Sequence, residues 1–246
     1  MSLTAAYTKG RHPTVALDIE TGPDPDALEW LLADPPAFSP PKHYKDPQKI
    51  ADHVAAKRDE WLRKTKAEAS LDPLTGMVVS IAFAQSGGSH AMATTISDSG
   101  SERLLIQSAF EVLSDIRCVV TFNGTEFDLP FLLIRAARYG ITLPHWIKDG
   151  MRRYSTIPHC DVRGVLSAWN PRRRGTLAVW YRHLFGEVPP VVEYEGEEVN
   201  GAMVARLIAE QAWDVLAEYN AADAGATLRI YSRLDEIGAI KAREQR

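Results

Sequence analysis

Cysteine is scarce in this sequence: Cys118 and Cys160 are the only two among 246 residues. Neither belongs to a C-x-x-C pair, so a thiolate zinc site is not expected, and two isolated cysteines suit a reducing compartment. Long apolar runs are also missing. Nothing approaches the roughly 18 consecutive apolar residues needed to cross a bilayer, and the polar stretch Met1 to Arg11 has no apolar segment of signal-peptide length. A soluble, cytoplasmic protein is the expectation. Positive charge is not in excess either, since the formal net charge is −4. No global field would draw nucleic acid, so any such binding must use a local basic patch. Repeats, low-complexity tracts and linkers are absent. A single domain over residues 1–246 is the simplest organisation, long enough to bury a sizeable core.

The apolar pattern supplies the elements. Thr14 to Ile19 reads as a buried strand ending in acid. Pro23 to Pro47 is rich in proline and aspartate and reads as irregular. Asp46-Pro47 reads as a helix start, an acidic cap followed by proline, with a charged helix running to about Ser70. Met77 to Ala84 and His90 to Ile96 read as strands joined at Gly87-Gly88. A helix over Ser101 to Asp115, a buried strand over Cys118 to Phe122 and a helix over Leu129 to Tyr139 follow, the last ended by Gly140. Four more helices are expected at Asp161–Trp169, Thr176–Phe185, Asn200–Glu210 and Trp213–Ile237. Strands with interspersed helices give an α/β domain with one mixed sheet and a helical C-terminal half.

Three acidic signatures stand on these elements in order. Asp18 and Glu20 are two apart on a strand, so their side chains share a face. Asp128 follows Asn123-Gly124 and Phe127 at a strand-to-helix junction, where it also suits a helix cap. Glycine there lets the backbone approach a ligand, and Asn123 can hydrogen-bond a phosphate or sugar. Tyr219 and Asp223 are four apart on a helix and share a face. Taken singly, each has an ordinary reading: solvated strand end, helix cap, core tyrosine. Brought together, four carboxylates would hold two divalent ions, and ions about 3.5–4 Å apart can cut phosphodiester bonds.

The motifs Asp18-x-Glu20, Asn123-x3-Phe127-Asp128 and Tyr219-x3-Asp223 resemble those of the DEDD superfamily of 3′-5′ exonucleases, which have an RNase H-like fold. Tyrosine at 219 resembles the DEDDy branch. The sister branch carries histidine five positions before its last aspartate, where this chain has Glu218. Within the branch the chain looks similar to stand-alone proteins related to the proofreading domain of B-family DNA polymerases. The resemblance runs from about Thr14 to Leu234 and is patchy between Pro23 and Leu71. It implies that Asp18, Glu20, Asp128 and Asp223 coordinate two Mg²⁺ or Mn²⁺ ions, for which oxygen-only donors are suited. It implies that Tyr219 positions the attacking water. Ile19 and Thr21, with Asn123 and Phe127, would hold the terminal nucleotide. With no polymerase region after the third motif, proofreading in cis is not expected. Asp161 is either a positioning group or the cap of the following helix.

Between Lys148 and Arg182, eight basic residues face only Asp149 and Asp161. Arg172, Arg173 and Arg174 form a tripeptide in a Pro/Gly-flanked loop, the natural place for a phosphate backbone, unless it is merely a solvated turn. Trp169 beside it is a candidate for stacking on a base, whereas Trp180 has the helical spacing of a core residue. The substrate expected is a single-stranded DNA 3′ end, degraded to nucleoside monophosphates. The alternatives are a 3′-5′ exoribonuclease of the same fold and a catalytically silent nucleic-acid-binding module.

Overall fold

The computed structural model describes residues 14–85, 91–173 and 175–240. Met1 to Arg11, the Gly87-Gly88 turn and Arg174 lie outside the described residues. In chain order the main elements are β1 (Thr14–Pro23), α1 (Pro25–Ala33), α2 (Pro47–Glu68), β2 (Gly76–Gln85), β3 (Ala91–Thr95), α3 (Glu102–Leu113), β4 (Cys118–Thr121), α4 (Asp128–Tyr139), β5 (His159–Asp161), α5 (Val162–Leu166), α6 (Leu177–Phe185), α7 (Val204–Ala209) and α8 (Trp213–Glu236). Among the described residues no helix is long and apolar enough to cross a membrane.

Five strands form one sheet in the order β3-β2-β1-β4-β5. It is mixed: β1 with β4 and β4 with β5 are parallel, and β2 with β3 is antiparallel. Alternation along β1 sorts its side chains between two cores. Val15, Leu17 and Ile19 join Leu105, Phe110, Leu132 and Trp146 on one face. Ala16 joins Val120, Ala224, Ala226 and Ile230 on the other. Small residues meet on that second face, and an added Cβ at Gly225 would sit 3.8 Å from Ala91, so α8 lies close against the sheet.

The chain divides into two compact units, Met1–Glu20 with Val78–Arg246, and Thr21–Met77. In the first, Arg135 and Glu102 form a buried ion pair at 2.5 Å. Glu102 also accepts from the Val78 N–H at 2.7 Å and from Tyr139 at 2.7 Å, so one carboxylate ties α3 and α4 to the start of β2. In the second unit, the Thr21 hydroxyl donates to the Ser70 carbonyl at 2.6 Å and the Asp24 N–H to the Thr75 carbonyl at 2.8 Å. No residue of α2 is buried, in keeping with its mixed charges forming a solvated face.

Two sequence expectations need correction, and one strand was not expected. Pro23 to Pro47 is not wholly irregular: α1 starts at Pro25, and the Asp24 carboxylate accepts from the Asp26 and Ala27 N–H groups at 3.1 and 3.2 Å. This is the Asp-Pro start already legible at Asp46-Pro47. The helix expected over Asp161–Trp169 stops at Leu166, because Ala168 and Trp169 take φ of +51° and +57°. Residues 159–161 are strand before that helix begins, and three residues are too few to show alternation.

Candidate metal centre

Ala16 faces the core beneath α8, and the two-residue period carries Asp18 and Glu20 onto that same face. Ala224 packs there from α8, which brings the preceding Asp223 over the strand. Oxygens from Asp18, Glu20 and Asp223 accordingly lie within 4.8 Å of one another, and all three residues are half-buried. Asp128 stands outside this trio, buried at the first residue of α4. Its carboxylate lies beside its own N–H and that of Ile19, which favour its charged form.

Burial and mutual repulsion act in one direction here. Burial, then the charges of Asp128, Glu20 and Asp223, hold the Asp18 carboxyl well above the ordinary range. Burial and the charges of Asp223 and Asp128 push Glu20 up to about 8. Burial chiefly raises Asp128 to about 7 and Asp223 to about 6. The Tyr219 hydroxyl faces the Asp223 carboxylate and favours its charged form, as the four-residue spacing allows. Burial, then the neighbouring carboxylates, raise its own ionisation, so it stays a neutral donor. Like charges this close need a cation to be comfortable ionised together. The oxygen-only donor set fits hard divalent ions such as Mg²⁺ or Mn²⁺.

The second motif is held from behind. Asn123 sits at φ +70°, and a Cβ at Gly124 would fall 2.2 Å from the Thr121 Oγ1, so this close turn admits only glycine. The Gly124 N–H donates to Thr121 Oγ1 at 3.1 Å, and that hydroxyl lies 2.7 Å from His159 Nε2. His159 Nδ1 lies 2.8 Å from the Gly150 carbonyl, which only accepts. Nδ1 therefore carries the proton and Nε2 accepts from Thr121. Burial lowers the His159 pKa, consistent with a neutral ring. The Asp161 carboxylate caps α5 through the Gly164 N–H at 3.1 Å and also accepts from the Asn123 and Thr125 N–H groups at 3.0 and 3.2 Å. It is a cap and a brace at once. Arg163 donates to the Asn123 Oδ1, which aims that amide. Sequence reasoning missed the Thr121–His159 pair and the link from Arg163 to Asn123. Their partners are some forty residues apart along the chain, and only the β4–β5 pairing of Thr121 with Asp161 unites them.

The remaining expected contacts fall in different places. Phe127 is partly buried and packs on Phe131, with ring centroids 5.6 Å apart. Thr21 belongs to the other compact unit. Arg172 and Arg173 are exposed in a turn where Asn170 Oδ1 accepts from the Arg172 N–H at 3.0 Å. Two members of the basic stretch are already paired, Arg152 with Asp149 at 3.1 Å and Arg153 with Glu126 at 2.5 Å. An open cavity of about 620 Å³ lies beside the trio, its walls including Tyr219, Asp223, Asn123, Arg163, Leu177 and Val192.

The chain is 28% identical over 147 residues to DNA polymerase 1 of Sulfurisphaera ohwakuensis, a match covering 53% of this chain and only 15% of that protein. It superposes on the family B DNA polymerase of the hyperthermophilic archaeon Pyrobaculum calidifontis with a TM-score of 0.57 and 17% identity, over 94% of this chain and 25% of the polymerase. The mixed sheet flanked by helices is the RNase H-like fold of a PolB exonuclease domain. Residues 72–244 match a family described as predicted 3′-5′ exonucleases related to the exonuclease domain of PolB, and this chain belongs to that family.

Proposed function

We propose that this protein is a metal-dependent 3′-5′ exonuclease that shortens single-stranded DNA from its 3′ end and releases nucleoside monophosphates. The observation that carries this reading is the trio Asp18, Glu20 and Asp223, drawn from two elements far apart in sequence to within 4.8 Å and left repelling one another. Asp18, Glu20, Asp128 and Asp223 would hold two Mg²⁺ or Mn²⁺ ions. Such ions supply an activated water and neutralise charge on the leaving 3′ oxygen. Tyr219, kept protonated beside Asp223, orients the water for attack on the terminal phosphodiester. Asn123, fixed by Arg163 and Asp161, offers its amide to the last nucleotide, together with the backbone of Ile19 and the ring of Phe127. The Arg172–Arg174 loop takes the strand's phosphates. Residues 1–246 act as one exonuclease domain. DNA is favoured over RNA because the relatives are DNA polymerases.

The test is a 5′-labelled single-stranded DNA oligomer incubated with Mg²⁺ or Mn²⁺. A ladder shortening stepwise from the 3′ end, and abolished by EDTA, is expected. An RNA oligomer of the same sequence consumed faster would move the substrate to RNA. Binding without cleavage under either metal would leave a silent binding module. Two variants refine the assignment. Tyr219→Phe is expected to slow cleavage about ten- to a hundredfold through misplacement of the water, while Mn²⁺ affinity is retained; an unchanged rate removes Tyr219 from the reaction. Neutralising Arg172, Arg173 and Arg174 is expected to weaken oligomer binding and lower the salt slope by about 0.7 for each phosphate these side chains would otherwise neutralise. An unaltered slope would place the phosphate track elsewhere.

A further inference from the structure

A second open cavity of about 370 Å³ adjoins the first and shares Asn123 and Arg163 with it as walls. Its other walls include Trp169, Arg173, Arg153 and Asn170. The size falls in the range of small-ligand sites, about 300–1,000 Å³. Acid is present but spent: Asp161 accepts from three backbone N–H groups, and Glu126 pairs with Arg153. Arg163 and Arg173 have no carboxylate partner among the described residues.

Trp169 is held for presentation. Its indole lies on Gly164, where a Cβ would come within 2.6 Å of the ring, and Tyr154 braces it at a centroid distance of 5.4 Å. Among the described residues six non-glycine positions have positive φ; two of them, Asn123 and Trp169, line this cavity, and two more adjoin Trp169, Ala168 as the residue before it and Tyr154 packed on its ring. A left-handed conformation is unfavourable for such residues and gathers where a site over-determines the backbone. An aromatic ring beside guanidinium groups that no carboxylate neutralises is the chemistry that takes a nucleotide, ring to base and cation to phosphate.

We propose that this cavity is a second nucleotide subsite, which stacks one unpaired base of the substrate strand on Trp169 and holds its phosphate with Arg163 and Arg173. The proposal rests on the exonuclease reading for its direction. With the 3′ terminus beside Tyr219 and Asp223, the strand passes Asn123 and Arg163 and enters the second cavity on the 5′ side of the scissile bond. Unpaired strands are selected at this point, because a base stacked on Trp169 cannot also be paired.

The test measures binding in EDTA by fluorescence anisotropy, with 5′-labelled oligothymidylates from dinucleotide to decanucleotide, so that it does not depend on cleavage. Wild-type affinity should step up once the oligomer reaches the second cavity. Trp169→Ala should weaken the decanucleotide at least about tenfold more than the shortest oligomer. Trp169→Phe, which keeps a stacking ring, should restore most of the step. Equal loss at every length would make Trp169 a structural residue, and no loss at any length would remove it from the strand's path; either result overturns the proposal. So would thymidine 5′-monophosphate binding that Trp169→Ala weakens while oligomers bind as before, since the cavity would then take a free nucleotide. If Mn²⁺ leaves the decanucleotide intact but the length step is present and lost in Trp169→Ala, the exonuclease reading fails and the subsite stands.

Discussion

Replacing Asp18 or Asp223 by alanine is expected to lower the cleavage rate at least about a thousandfold, which corresponds to about 4 kcal/mol of transition-state stabilisation. The two residues come from β1 and α8, and each contributes an oxygen to the same cluster. On the two-ion reading, losing one removes a ligand and also part of the negative charge that a cation would neutralise. The fold should survive. Both side chains are only half-buried, and neither supports the apolar packing of Ala16, Ala224 and Ala226 beneath them. In the metal-free protein each variant should melt slightly higher than the wild type, because the raised carboxyls of the cluster show that its charges oppose folding. Steady-state cleavage of a labelled oligomer and a thermal melt in EDTA check both halves. Retained cleavage in either purified variant would sink the two-ion assignment. A wild-type-like rate combined with a lower melting temperature would make the carboxylate a structural group.

This pairing of acids was legible in the sequence because it rests on fixed local periods. Asp18 and Glu20 are one strand repeat apart, and Tyr219 and Asp223 one helical turn apart, so each pair's common face could be read without knowing the fold. Gly140, at φ +65°, likewise ended α4 where the sequence placed the stop. What could not be read was anything that depends on β5. His159, Cys160 and Asp161 show no period of their own, yet their pairing beside β4 puts Asp161 under Asn123 and His159 against Thr121. The cavity around Trp169 was hidden for a related reason. A helix was expected through that residue, and the left-handed turn at Ala168 and Trp169 instead folds the indole back onto Gly164. Charge counting along the chain also left out Glu126, which lies before the basic stretch and neutralises Arg153 across space.

The metal-free protein is expected to lose stability as pH rises from about 4 to about 8, and divalent ions are expected to restore it most at the alkaline end. In the unfolded chain these carboxyls titrate at ordinary values, 3.8 for aspartate and 4.5 for glutamate. In the folded protein Asp223 is held up to about 6, Asp128 to about 7 and Glu20 to about 8. Below about 4 both states are protonated and the cluster costs nothing. Between the two sets of values the folded state binds more protons than the unfolded, so unfolding becomes easier with each step in pH. Above about 8 the cost is fully present. A cation bound only by the folded form reverses this, by about 2.7 kcal/mol at a concentration one hundred times Kd, or about 5–10 °C for a domain of this size. Protons compete for the same oxygens, so the gain from Mn²⁺ should shrink as pH falls towards 5. Thermal melts across that range, with EDTA and with Mn²⁺, measure both trends. A metal-free melting temperature that does not fall between pH 5 and pH 8 would mean the carboxyls are not held protonated as a cluster. Absence of a Mn²⁺ shift at pH 8 would mean that they are not a cation site. Asp223→Ala should flatten both curves together, because one residue then removes a ligand and the repulsion that the ligand relieves.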